Sequence, residues 1–112
     1  MRRGEVWWAS LPEPDGSGPG YRRPVLVVSA DDFNESAIAT VVIAALTSNL
    51  RLADAPGNVR LRRGEAGVPR ASVINVSQLF TVDRTRLTAR LGSLQGARLA
   101  NVDFGLKLAL AL

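Results

Sequence analysis

Pro24-Val25-Leu26-Val27-Val28-Ser29 and Thr40-Val41-Val42-Ile43-Ala44-Ala45-Leu46 decide the fold. Both runs are short, rich in β-branched residues and apolar at consecutive positions. Each therefore predicts a strand covered on both faces, in the middle of a sheet rather than at its rim. Upstream, Glu5-Val6-Trp7-Trp8-Ala9 is an aromatic and β-branched run between Gly4 and Pro12, hence another strand. Residues 12–20 hold three prolines and three glycines in nine positions and read as a loop. Asp31 to Ser36 is polar enough for one helical turn with an Asp cap. Downstream, Asn58-Val59-Arg60-Leu61 alternates as a half-exposed strand, followed by an Arg/Gly-rich connection through Val68-Pro69. Ser72 to Ser77 and Leu87 to Leu91 alternate again. Short strands separated by turn signals argue for a small barrel or compact sheet, not a parallel α/β layout.

The period changes at Gln95. Leu99, Val102, Leu106 and Leu110 recur at helical spacing as one apolar stripe, and Phe104, Leu108 and Leu112 fall nearly opposite. A helix with two apolar stripes needs two surfaces to bury them. The first stripe suits the sheet; the second suits another copy of the chain, because a domain this small has little core left to offer.

The 112 residues form one domain, 1–112, with no internal repeat and no linker. No run of about 18 apolar residues is present, so no membrane helix is expected. Met1-Arg2-Arg3-Gly4-Glu5 is not followed by the apolar core of a secretory leader, and a cytoplasmic location is expected. With no Cys and no His, disulfides, a thiolate nucleophile, a Cys/His zinc site and a histidine acid or base are all excluded. Neither a cofactor nor a bound metal is expected. The net charge is +4, and of 14 basic residues 13 are Arg, with Lys107 the exception. The guanidinium binds phosphate two-pronged and stacks on bases, which points to nucleic acid. Codon usage in a GC-rich genome favours Arg as well, so composition alone leaves both readings open.

Three segments carry candidate chemistry. Arg22 and Arg23 stand between a Gly/Pro loop and a buried strand, and Pro24 stiffens the backbone beside them. Thr47, Ser48 and Asn49 end the second buried strand with hydroxyl and amide groups able to bond phosphate oxygens or base edges. Ser77 and Gln78 close a third strand in the same way. Polar groups at strand ends, gathered at one mouth, are a usual place for a site on a small barrel. Taken singly, each has an ordinary reading as a solvated pair or turn chemistry.

Taken in order, Arg3-Gly4-Glu5-Val6-Trp7-Trp8, Gly16-Ser17, Arg22-Arg23-Pro24-Val25-Leu26-Val27-Val28 and Leu46-Thr47-Ser48-Asn49 resemble the MazF/PemK toxin family. Ser72-Val73-Ile74-Asn75-Val76-Ser77-Gln78-Leu79, Thr81-Val82-Asp83-Arg84 and the closing helix are similar too. The resemblance implies a small SH3-like barrel with a C-terminal helix, of the plasmid-maintenance-toxin type, assembled as a homodimer. It implies sequence-specific, metal-independent cleavage of single-stranded RNA, with Arg23 and Thr47 acting on the scissile phosphate. The expected RNA-binding set is Tyr21, Arg22, Ser48, Asn49, Ser77 and Gln78. The segment from Leu11 to Arg22 corresponds to a loop that moves over the RNA groove, which a cognate antitoxin's C-terminal segment occupies in the inhibited complex. The chain departs from many relatives at Gly18 and Ser77, where they are acidic, and at Asn75 and Phe80, where an Arg stands in some of them.

A chain without His or Cys can still catalyse transfer of a phosphodiester to its own 2′-hydroxyl. The substrate brings its nucleophile, so the protein must chiefly align it and stabilise the extra negative charge. Arg23 suits the second task and Thr47 adds a hydrogen bond. Proton transfer is left open between a perturbed Arg23 and slow, mainly electrostatic catalysis. The alternatives are a non-catalytic nucleic-acid-binding barrel and a toxin of CcdB type acting on a protein target.

Overall fold

The computed structural model describes residues 1–11 and 21–112. The Gly/Pro loop read at 12–20 lies outside them, as do Gly16-Ser17 and Gly18. Among the described residues are six strands: β1 (Glu5–Leu11), β2 (Tyr21–Val27), β3 (Thr40–Thr47), β4 (Val59–Leu61), β5 (Ser72–Asp83) and β6 (Leu87–Ser93). Two α-helices, α1 (Asp31–Asn34) and α2 (Gly96–Leu110), and three 3₁₀ turns at Leu50–Asp54, Glu65–Gly67 and Arg84–Arg86 complete the list. The strands form one antiparallel sheet in the order β4-β5-β3-β2-β1-β6.

The two doubly apolar runs occupy the two central strands, and this is why they are apolar at consecutive positions. On β2, Leu26 enters one cluster with Val6, Ala44, Leu46, Ile74 and Val102, while Val25 and Val27 enter another with Ala9, Val41, Ile43 and Leu87. Successive side chains of a strand point to opposite faces, so a strand serving two clusters cannot alternate with polar residues.

Bulges bend the sheet. Along β3, Ala44 pairs with Leu79 but Ala45 pairs with Asn75, leaving Val76, Ser77 and Gln78 as extra residues on β5. The pairing of β1 with β6 shifts twice as well. The two rims of the curled sheet meet through the Glu65–Gly67 turn, which packs against β6. A Cβ on Gly67 would stand 2.1 Å from the Leu91 carbonyl oxygen, and one on Gly92 2.5 Å from that of Ala66. Only glycine permits such backbone contact, and Gly67 also has φ +79°.

Helix α2 plugs the end of the barrel where β1 begins and β2 finishes. Val102 is fully buried and Leu99 and Leu106 pack beside it, as the first stripe predicts. Leu110 departs from that stripe. It is half exposed, on the rim of an apolar groove with Val28, Val42 and Leu79. Gly105 lets the helix touch the backbone of Gly57 directly. The opposite stripe is bare, with Phe104 69%, Leu108 53% and Leu112 85% exposed. Among the described residues, no helix is long and apolar enough to cross a membrane.

Two local expectations differ from the structure. Helix α1 begins after Ala30, with no side-chain cap; the Asp31 carboxylate instead accepts the backbone N–H of Arg3 at 2.6 Å and Asn34 Nδ2 at 3.4 Å. The N-terminal segment competes for the group expected to cap the helix. Strand β5 does not close at Ser77 but runs on to Asp83. The bulge resets the alternation in mid-strand, so the sequence pattern breaks where the hydrogen bonding does not.

Candidate active site

The other mouth of the barrel is open. There β1, β2 and β3 present Trp8, Arg22, Arg23, Pro24, Thr47 and Ser48 around a groove of about 290 Å³. Pro69, Arg70 and Ser72 close its far side, from the connection into β5. Three guanidinium groups and no carboxylate line it among the described residues, so the groove is built for an anion.

The pairing register explains how Arg23 and Thr47 meet. Val25 stands opposite Ala45, Leu26 opposite Ala44 and Val27 opposite Ile43. Carried two residues further, the same register puts Arg23 across from Thr47, on one face of adjacent strands about 4.8 Å apart. Arg23 Nη1 reaches the Leu46 carbonyl oxygen at 3.5 Å, the outer limit of a hydrogen bond. Its Nε is buried and finds no partner among the described residues. Among the described residues this half-buried cation has no carboxylate partner. Thr47 Oγ1 accepts the Asn49 backbone N–H at 3.1 Å, which orients the hydroxyl and leaves its own hydrogen free to donate.

Arg22, one residue earlier, points to the other face and lies on the indole of Trp8, with Cζ 4.1 Å from the ring centroid. The remaining residues of the expected set stand elsewhere. Tyr21 begins β2 with φ +55° and is 63% exposed beside the mouth, outside the groove lining. Asn49 caps the Leu50–Asp54 turn, accepting the Arg51 N–H at 3.2 Å. Ser77 and Gln78 lie in the β5 bulge and do not line the groove. Ser77 Oγ donates to Asn75 Oδ1 at 2.8 Å, so these two positions hold a neutral hydrogen-bonded pair.

Trp8, Pro69, Arg70 and Ser72 were not among the residues singled out from sequence. Trp8 has a legible signal: it lies two residues beyond core Val6 on the same face, where the barrel runs out of interior. Arg70 is hidden in a connection whose several arginines look alike until the chain is folded.

Comparisons with known proteins identify the family and the fold. A family model described as a PemK-like, MazF-like toxin of type II toxin–antitoxin systems matches residues 2–110. The endoribonuclease MazF6 of Mycobacterium tuberculosis is 46% identical over 112 residues, spanning 100% of this chain and 98% of the relative. The endoribonuclease EndoA of Bacillus subtilis is 36% identical over the whole chain and 96% of its own. Among solved structures, a mycobacterial endoribonuclease in complex with its cognate antitoxin superposes with a TM-score of 0.79 at 27% identity, covering 100% of this chain and 96% of that one. The MazF of Deinococcus radiodurans shares the fold, with a TM-score of 0.80 at 23% identity over 100% and 97%.

Proposed function

The chain belongs to the PemK-like, MazF-like toxins of type II toxin–antitoxin systems, and from that premise we propose that it is an endoribonuclease toxin that cuts single-stranded RNA at the Arg22–Arg23 mouth. The observation that carries the reading is Arg23: a partly buried cation with no carboxylate partner among the described residues, lining one groove with the Thr47 hydroxyl.

The 2′-hydroxyl beside the scissile phosphate attacks phosphorus, and its proton passes to water. The P–O5′ bond breaks and O5′ takes up a proton. The products are a 2′,3′-cyclic phosphate and a 5′-hydroxyl. Charge on the phosphorane grows as the 2′-oxygen bonds, and Arg23 and Thr47 stabilise that charge more than they stabilise the ground state. A guanidinium fork meets two equatorial oxygens at once, which an ammonium cannot. Neither residue has to exchange a proton, so the reaction is electrostatic in character and independent of metal.

A cytoplasmic protein of this kind is restrained by its antitoxin. An extended acidic or mixed segment of the cognate antitoxin satisfies the same arginines as RNA, so the two bind in exclusion of one another. The bare stripe of Phe104 and Leu108 supports a homodimer held in part by α2.

The deciding experiment offers the purified protein a long single-stranded RNA with a chelator present, then a matched oligonucleotide carrying one 2′-deoxy nucleotide at the mapped cut. Discrete fragments from the first and an intact second are expected. Cleavage of the deoxy substrate at the normal rate refutes 2′-hydroxyl attack. Retention of RNA without cutting would favour the non-catalytic barrel, and neither binding nor cutting would favour a protein target.

A further inference from the structure

We propose that Trp8 and Arg22 together form a seat for one unpaired RNA base, beside the phosphate position of Arg23 and Thr47. The inference rests on the RNA-cleaving reading and adds a subsite to it.

Strand geometry separates the two arginines. Trp8 pairs with Pro24 and Ser10 with Arg22, which puts Trp8, Pro24 and Arg22 on one face of the β1–β2 ladder. Arg23, with side chains alternating, belongs to the face of Thr47. Two successive residues thus enter the same groove from its two sides, one beside a hydroxyl and the other over an indole. Those are the two surfaces that the two halves of a nucleotide require: a charged one for phosphate and a planar one for the base.

Arg22 is not held as a structural cation. It is exposed, and among the described residues it has no hydrogen bond or ion pair; its recorded contact is the Trp8 ring. The guanidinium carbon stands over that ring, and both side chains line the groove. A base sliding onto the guanidinium completes a Trp8–Arg22–base stack, a mode that tolerates any base because every base has a π-face. Pro24 and Pro69 wall the same space. Both are rigid and neither offers an N–H, which suits a stacked ring better than a phosphate. Trp8 acts through Arg22 and is a positioning residue: without the indole, Arg22 keeps its charge but loses its plane.

The test scans an abasic nucleotide along a cleavable RNA, three positions to either side of the cut, with wild type, Trp8→Ala, Trp8→Phe and Arg22→Ala. An abasic position keeps the phosphate and the 2′-hydroxyl and removes only the stacking partner. At one flanking position the wild type should lose roughly 5- to 150-fold in kcat/KM. Trp8→Ala should be nearly blind to that same lesion, having lost the stack already, and Trp8→Phe should recover most of the sensitivity. An indifferent wild type, or an undiminished penalty in Trp8→Ala, overturns the proposal. A second arm places 2-aminopurine at each position of an RNA made uncuttable by a 2′-deoxy nucleotide. Quenching should occur at one position, persist with Arg23→Ala and vanish with Trp8→Ala. If no RNA is cut at all, the proposed activity fails, and this arm still reads the base seat by itself, absence of quenching counting against it.

Discussion

Replacing Arg23 with Met should raise stability while removing activity, and the structure sets both magnitudes. Met keeps the unbranched apolar stem and deletes the guanidinium. What folding loses is one contact, Nη1 to the Leu46 carbonyl at 3.5 Å, beyond the usual 2.7–3.2 Å range and worth little. What it gains is relief from a buried Nε without a partner among the described residues, a group whose desolvation costs about 1–3 kcal/mol. The net expectation is a change between zero and about 2 kcal/mol in favour of the variant, or up to ~8 °C in Tm for a chain of this size. In the reaction, the same substitution removes the fixed positive charge on the phosphorane. Loss of one preorganised donor of this type costs about 2.7–4 kcal/mol, a fall of roughly 10²–10³ in kcat. Thermal melts at one protein concentration, paired with initial rates on a fluorogenic RNA, read both quantities. A variant destabilised by more than about 1 kcal/mol would make Arg23 a structural cation. A rate within about threefold of wild type would remove it from the chemistry.

Three further outcomes are expected. Gly105→Ala places a Cβ 2.1 Å from the Gly57 carbonyl oxygen, so α2 must move. A loss of about 1–3 kcal/mol is expected despite the ~1 kcal/mol that alanine offers an isolated helix, and a stabilised variant would mean a looser approach. At Glu65, burial works to raise the carboxyl pKa, but the Arg62 N–H and the Arg98 guanidinium outweigh it and hold it below the ordinary 4.5. A depressed folded value means stability that is fully present above that pH and lost as pH falls through the folded value, so the gap between wild type and Glu65→Gln in acid melts should close there; a gap independent of pH would contradict the pairing. Changing Phe104 and Leu108 together to Asp should give a monomer or an insoluble chain by light scattering, and an unchanged dimer mass would take α2 out of the interface.

The class of fold and the identity of the central strands are legible in the chain's own pattern. Val25, Leu26 and Val27 are apolar at adjacent positions only because a strand buried on both faces requires it, and the change of period at Gln95 marks α2 for the same reason: local pattern reports local burial. The sequence also narrowed the chemistry, since a chain lacking His and Cys is left with guanidinium and hydroxyl groups. The Arg-Arg-Pro and Thr-Ser-Asn strand ends offered Arg22, Arg23, Thr47, Ser48 and Asn49 as candidates, and the family resemblance pointed to Arg23 and Thr47 among them. Tertiary structure decided which candidates meet. Ser77 and Gln78 follow an alternating run as Thr47 and Ser48 follow theirs, yet a three-residue bulge, set by pairing with residues of a distant strand, holds them in mid-strand and outside the groove lining. Trp8 reads as one more strand aromatic until its ring is found beneath Arg22, and Arg70 joins the mouth only when β5 lies beside β3. Register, bulge and closure depend on contacts between distant segments, and a one-residue slip in any of them exchanges the faces. That information belongs to pairs of strands, whereas the periodicity of a single strand records only whether its own faces are covered.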